Sequence, residues 1–239
     1  MSKVYFDPGA ERAAKVNELF TRIARRYDLI NDLQSFGLHR YWKRRVIQLS
    51  GARPGMKALD VCCGTGDLAL ALARRGAETV GLDFTQSMLE VAATRGRVPA
   101  SGQPPQFVWG DAQRLPFPDN SFDIVTVGYG LRNLANWETG LAEMRRVTRP
   151  GGQLLILDFG KPDNRCWRGL YFGYLRLFVP WLGRVFCGNA SAYAYILESL
   201  IHYPAQHGVA NRMSSLGLTD VEIVSFLGGV MTINRAHKT

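Results

Sequence analysis

The feature that most constrains this chain is a regular alternation of short apolar runs with helix-patterned stretches. The runs at 58–61, 79–82, 106–109, 122–127 and 153–158 are each too short for a helix, mostly apolar, and followed by a loop or a helix start. Strands of that kind are buried on both faces, so the series predicts a mostly parallel sheet joined by crossover helices. Helices are expected at 67–75, 86–94 and 137–147. Near the end, the runs 221–226 and 230–234 flank Gly228-Gly229 and read as a hairpin, which would close the sheet with antiparallel strands. A helical prelude, roughly 10–48, precedes the first strand. The 239 residues, 46% hydrophobic and 21% charged, suit one α/β domain over 1–239 with a sizeable core.

The first sixteen residues, MSKVYFDPGAERAAKV, are polar, which predicts neither a cleavable signal nor an N-terminal anchor and points to the cytoplasm. Cys62, Cys63, Cys166 and Cys187 show no metal-ligand spacing, so neither zinc nor a disulfide framework is expected, and no metal site is assigned. The net charge of +9 is concentrated in two places: residues 1–50 carry ten Lys/Arg against five Asp/Glu, and residues 159–188 carry five against one. A basic face built from these segments would suit nucleic acid or an anionic membrane surface; ordinary solvated charge is the alternative.

The first strand ends in Leu59-Asp60-Val61-Cys62-Cys63-Gly64-Thr65-Gly66-Asp67-Leu68, a glycine turn leading into a helix. Such a turn lets backbone approach a ligand closely. By itself it could equally serve a dinucleotide, but the third glycine of that fingerprint is missing. Acids recur at successive strand ends instead: Asp60 before the loop, Asp83 with Phe84 after the second strand, and Asp111 with Ala112 after the third. An acid in the second position can accept both ribose hydroxyls, and one in the third can accept from the amine of adenine. Three acids so placed make a nucleoside cradle.

At this point the residues resemble the class I S-adenosylmethionine-dependent methyltransferases, with a Rossmann-like sheet. A closer match follows. Tyr27-Asp28-Leu29-Ile30-Asn31-Asp32, the stretch Ser35-Phe36-Gly37-Leu38-His39-Arg40-Tyr41-Trp42-Lys43, Asp111-Ala112 with Leu115-Pro116-Phe117, Gly130-Leu131-Arg132-Asn133, Pro150-Gly151-Gly152 and Tyr193-x-Tyr195-x-x-Glu198-Ser199 are similar to signatures of the ubiquinone/menaquinone biosynthesis C-methyltransferases. The resemblance runs from about residue 16 to the C-terminus. It implies S-adenosyl-L-methionine as cofactor, held through Thr65, Asp83, Asp111 and Ala112, with Asp60, Gly64 and Gly66 shaping the loop. It implies a prenylated quinol as substrate, demethylmenaquinol favoured over a ubiquinol-pathway intermediate, and it allows for a homodimer. One departure stands out: many relatives read Ser-Phe before Gly-Leu-Arg-Asn, where this chain has Gly128-Tyr129.

A quinol ring carbon becomes a good nucleophile when an adjacent phenol, of pKa about 10, loses its proton. A base or a cation near that oxygen is therefore needed, with ring and methyl held in line. Arg132 is expected to stabilise the phenolate and Asn133 to orient the ring oxygen; the alternative for Arg132 is pairing with a nearby acid. His39 is the candidate base, since an imidazole titrates near neutrality, against a structural or surface role. Tyr27 and Asp28 could relay the proton, against roles in packing and capping. A covalent role for Cys62 or Cys63 is rejected because no base is adjacent.

The insertion at 159–188 interleaves aromatic and aliphatic bulk with Arg168, Arg176, Arg184 and Pro180, which argues against a spanning helix. It reads as a lid over a greasy substrate, or as a segment at the inner face of the plasma membrane, against simple cover for the sheet. Methylation of RNA or of another small aromatic substrate is the rival function, and a non-catalytic cofactor-binding or scaffold role is the third; no Asn/Asp-Pro-Pro-Tyr type motif follows the fourth strand, and no nucleic-acid partner is expected.

Overall fold

The computed structural model describes residues 10–24, 27–95, 103–187 and 191–239, the side chains of 10–13, 23, 30, 179–187 and 191–196 excepted. Arg184, Cys187, Tyr193 and Tyr195 are therefore outside the described side chains. The chain begins with three helices, α1 (Ala10–Ile23), α2 (Tyr27–Ser35) and α3 (Leu38–Ser50). It continues through β1 (Lys57–Val61), α4 (Asp67–Ala73), β2 (Glu78–Asp83), α5 (Gln86–Thr94), β3 (Gln106–Trp109) and β4 (Phe122–Gly128). A single 3-10 turn at Leu131–Asn133 leads to α6 (Trp137–Val147) and β5 (Thr148–Phe159). The rest is α7 (Arg165–Cys187), α8 (Ser191–His202), α9 (Ala205–Ser215), β6 (Leu218–Phe226) and β7 (Met231–Lys238).

The seven strands run in the order β3-β2-β1-β4-β5-β7-β6. All pairs are parallel except β5 with β7 and β6 with β7, the antiparallel hairpin that the glycine pair foretold. Alternation along the central strands splits the core. Leu59, Val61, Val125, Val127, Leu154 and Ile156 face α6 and α9, meeting Leu141, Met144, Val209 and Met213. Ala58, Ile124, Leu155 and Leu157 face α3 and α4, meeting Trp42, Val46, Leu68 and Leu72. A smaller cluster of Leu19, Tyr171, Leu175 and Leu200 ties α1 to α7 and α8. The chain runs outward from β1 to β3 and then returns to β4 on the other side of β1, so the crevice at the ends of β1 and β4 is the switch point where open α/β sheets bind ligands.

The last three strands are longer than expected: β6 begins at Leu218, not 221, and β7 runs on to Lys238, past 234, while α4 stops at Ala73, short of 75. β5 starts five residues before 153 because Thr148 already pairs with Phe122, after which the ladder shifts register and resumes at Ile124 and Gln153. Pro150-Gly151-Gly152, turn-like in sequence, is thus a bulge inside a strand, with Gly151 at φ 77° and the flanking Arg149 paired with Asp123. Among the described residues no helix is long and apolar enough to cross a membrane.

Candidate active site

The loop after β1 turns within five residues because Cys62, Gly64 and Gly66 take positive φ values of 53°, 55° and 83°. Gly66 caps α4 and has no side chain to offer the helix amides. Asp60 does so from beneath: one carboxylate oxygen accepts from Ala69 N at 3.2 Å, the other from Thr126 Oγ1 at 2.8 Å. Burial pushes the Asp60 carboxyl up to about 7, against those hydrogen bonds. Asp60 shapes the loop and does not line the cleft in front of it. The loop's glycines divide by role. A Cβ on Gly66 would lie 2.9 Å from the Phe107 ring, a packing demand, whereas one on Gly64 would meet only Tyr27, at 3.9 Å.

In front of the loop lies a cleft of about 800 Å³, its walls including Gly64, Asp83, Phe84, Asp111, Ala112, Met88, Gly128, Tyr129 and Asn133. Five of the eight residues expected around a cofactor meet there: Gly64, Asp83, Phe84, Asp111 and Ala112. Asp83 accepts from Gly64 N on one oxygen and from Thr85 N on the other, both at 2.8 Å. Burial raises its pKa and the two amides oppose that, which aims the carboxylate into the cleft. Asp111 is oriented by Gln113, whose backbone N donates to it at 2.8 Å and side chain at 3.3 Å. Phe84 packs on Trp109, ring centroids 5.7 Å apart, and Trp109 Nε1 donates to the Phe84 carbonyl. Val16, Asn17 and Phe20 of α1 and Tyr27 of α2 roof the cleft.

Thr65, expected at the cofactor, turns away. Its hydroxyl donates to Asp28 at 2.9 Å and its carbonyl accepts from Arg95. Asp28 pairs with Arg95, Arg95 with Asp67, and Asp67 with Lys43, a chain of ion pairs at 2.6–2.9 Å that fastens the prelude to α4 and α5. Tyr27 meets Phe20 edge-on, and burial raises its pKa against the pull of Lys43.

Arg132 is buried and lines neither this cleft nor the cavity described next. Its Nη1 reaches Asp158 Oδ1 at 2.6 Å and the Tyr129 carbonyl at 2.8 Å, its Nε reaches Ser199 Oγ at 3.2 Å, and its guanidinium lies 4.8 Å from the Phe159 ring centroid. The pairing with a nearby acid is what the geometry presents. Asn133 does line the cleft, its Nδ2 donating to the Tyr129 carbonyl at 3.1 Å.

A second, mostly apolar cavity of about 1340 Å³ lies beside the first, between α2, α3, α7 and the β6–β7 turn. His39 lines it. Ser35 Oγ donates to the Asn31 carbonyl at 2.6 Å and contacts His39 Nδ1 at 3.0 Å; with the ring hydrogen on Nδ1 toward Ser35, Nε2 is the acceptor. Burial, reinforced by the Lys43 charge and opposed by the Asp32 carboxylate 3.6 Å from Nδ1, lowers the His39 pKa. Among the described residues, Tyr129 is the one common to the walls of both cavities. It sits at φ 63°, is buried, and its hydroxyl finds no partner among the described residues. Sequence reasoning missed it, although an aromatic residue between Gly128 and Gly130 is the visible signal: a Cβ on Gly130 would fall 2.4 Å from that of Cys62, and one on Gly128 2.9 Å from Leu68. Burial pushes the thiols of Cys62 and Cys63 up, which makes poor nucleophiles of both. Among the described residues no group of His, Cys, Asp or Glu could hold a metal ion.

Comparison with known proteins bears on the same regions. The model of the ubiE/COQ5 methyltransferase family matches residues 9–238. A demethylmenaquinone methyltransferase of Desulfitobacterium hafniense is 40% identical over 237 residues, covering 96% of this chain and 92% of its own. A ubiquinone/menaquinone biosynthesis C-methyltransferase UbiE of Azotobacter vinelandii is 40% identical over 234 residues, covering 97% and 92%. In fold, the chain is similar to a SAM-dependent methyltransferase from Aquifex aeolicus, with a TM-score of 0.60 at 16% identity over 98% of this chain and 100% of that one. With nearly its whole length matched by one family model, and relatives at 40% identity over that same length, the chain belongs to the ubiE/COQ5 methyltransferase family.

Proposed function

We propose that this chain methylates a ring carbon of a demethylated prenyl quinol, demethylmenaquinol above all, with S-adenosylmethionine as donor. The observation that carries the reading is the pair of cavities sharing Tyr129: a cleft lined by two carboxylates, Asp83 and Asp111, beside a larger apolar cavity. The cleft fits the donor's nucleoside, because Asp83, held by two backbone amides, and Asp111, held by one, both line it. When bound, the donor supplies an electrophilic methyl group. Asp83 would accept from the ribose hydroxyls and Asp111 with Ala112 would hold the adenine, with Phe84 and Met88 lining the same cleft.

The apolar cavity takes the quinol and the start of its tail. His39, neutral and with Nε2 free of a proton, accepts the phenol proton, and Asn133 orients a ring oxygen at the boundary. Arg132 is a positioning residue in this scheme: by holding the Tyr129 carbonyl and Asp158 it fixes the turn that carries Asn133. Tyr27 closes the cleft over Gly64, and Asp28, tied to Thr65 and Arg95, anchors that closure. As the methyl group leaves the sulfonium sulfur for the ring carbon of the phenolate, the two charges cancel, and the ring becomes aromatic again by releasing the proton of that carbon; a site roofed by α1 and α2 assists by excluding water.

The prelude at 10–48 acts as the cap of the cofactor cleft, and the segment at 159–188 as lid of the quinol cavity. The enzyme works in the cytoplasm and reaches the inner face of the plasma membrane peripherally, its basic charge drawn to anionic lipid. Mass spectrometry of the quinone pool in cells lacking the protein tests the reading. Accumulation of a demethylated quinone, reversed by the wild-type gene, is the expected result; an unaltered pool would overturn it.

A further inference from the structure

The mouth of the apolar cavity is ringed by side chains that a protein in water would be expected to bury. Phe36 at the α2–α3 junction is 75% exposed, Leu170 on α7 is 68% exposed, and Leu227 in the β6–β7 turn is 53% exposed. Leu38 and Trp167 complete the ring, and all five also line the cavity. The ring is built from three separate parts of the chain, and one bond ties two of them: Trp167 Nε1 donates to the Leu227 carbonyl at 2.8 Å.

Backbone geometry sharpens the point. Phe36 and Leu227 both stand in the left-handed region, at φ 51° and 50°. Bulky side chains rarely occupy that region, which glycine or asparagine would enter at less cost. At these two positions a strained backbone presents a large apolar group that buries little surface within the protein. Stability does not explain the choice, so strain of this kind points to function.

We propose that this ring inserts into the interfacial layer of a lipid bilayer, so that a prenyl tail passes from the lipid directly into the cavity. A bilayer fits better than a protein partner, because a protein seated over the mouth would seal it, whereas lipid is continuous with the tail. Residues 159–188, which include Trp167 and Leu170, carry five Lys/Arg against one Asp/Glu, a positive balance that suits an anionic headgroup layer. The inference rests on the quinol reading for its purpose, but the surface is defined by exposure and strain alone.

The test reads vesicle binding and Trp167 fluorescence with the full chain. Wild type should partition onto phosphatidylcholine vesicles holding a minor share of anionic lipid, and a substantial part of that binding should persist at high salt. Lipids brominated near the headgroup should quench a component of emission that Trp167→Phe removes. The triple variant Phe36→Asn/Leu170→Gln/Leu227→Asn should bind vesicles at least tenfold more weakly, with its melting temperature held or raised, since asparagine suits positive φ, and its cofactor affinity unchanged by calorimetry. Wild-type binding by the variant, or complete release of wild type by salt, would overturn the insertion. A variant altered in oligomeric state with vesicle binding intact would assign the ring to a second copy and overturn it as well. Failure to methylate any quinol, by contrast, would remove the function reading and leave the vesicle result standing on its own.

Discussion

At the scale of single residues, the cofactor cleft depends on charges whose aim is fixed before any ligand arrives. Asp83 is the sharpest case, each carboxylate oxygen already held by one backbone amide. Asp83→Ala removes a charge-assisted acceptor and should weaken S-adenosylmethionine binding by about 1.5–3 kcal/mol; calorimetry on the folded variant reads it directly, and an unchanged affinity would dissolve the cradle. Arg132 makes a different prediction because it is buried against Asp158. Arg132→Ala leaves that carboxylate without its partner and should destabilise the fold by about 3–5 kcal/mol in denaturant titration. Much of that loss should disappear when Asp158→Asn is added. If Arg132→Ala is instead as stable as wild type and loses only turnover, the guanidinium works on the substrate and the positioning role falls.

Elements are joined here by a few buried groups, and Asp60 joins three: β1 carries it, β4 binds it through Thr126, and α4 is capped by it through Ala69. Its carboxyl titrates at about 7 in the folded chain, above the ordinary value of 3.8. The folded state therefore holds a proton that the unfolded chain has released, and stability present at acidic pH is lost as pH rises toward 7. The slope contributed by this one group approaches 1.4 kcal/mol per pH unit, on the order set by linkage, between the two values. In Asp60→Asn that slope should be absent, so the stabilities of the two proteins measured from pH 4 to 8 should lie closest on the acidic side and separate as pH rises, the wild type falling away from the variant; a difference constant across that range would mean that Asp60 does not titrate there.

The same elements show what a sequence can and cannot reveal. β3, α5 and α6 begin and end where pattern alone put them, because each is a local run with its own periodicity and boundaries. β5 does not, since its first residues are recruited by Phe122 across the sheet, and Pro150-Gly151-Gly152 carries a turn signal that long-range pairing overrides. At the candidate site, Asp83, Asp111 and Ala112 line one cleft, a convergence that their places at successive strand ends predict. The bond between Thr65 and Asp28 is not legible in this way, for it spans 37 positions and depends on how the prelude folds back. Tyr129 escaped for a related reason: its importance lies in belonging to two cavities, a property that no one-dimensional spacing encodes.

For the whole molecule, the placement of α1 and α2 over the nucleoside cleft predicts that donor binding is felt across the prelude. Addition of S-adenosylmethionine should raise the melting temperature in a concentration-dependent manner and slow amide exchange over residues 10–23, whose Val16, Asn17 and Phe20 roof the cleft. Protection confined to the loop after β1 would detach the prelude from the cofactor. The basic balance of residues 1–50 and 159–188 acts over longer range, and predicts faster association with anionic than with neutral vesicles, the difference vanishing within roughly a Debye length's worth of added salt. Stopped-flow mixing at two ionic strengths separates this steering from the insertion step.

The two cavities meet at one residue and open past different parts of the chain, the cleft beneath α1 and α2, the apolar cavity among Phe36, Leu170 and Leu227. Neither ligand has to pass through the other's place to enter or leave. A kinetic scheme with a compulsory order of addition would require one site to be built by filling the other, and here both walls stand beforehand with Tyr129 as their party wall. Initial-rate measurements should therefore follow a random-order pattern, in which demethylated donor competes with S-adenosylmethionine but leaves the quinol's own saturation free to proceed.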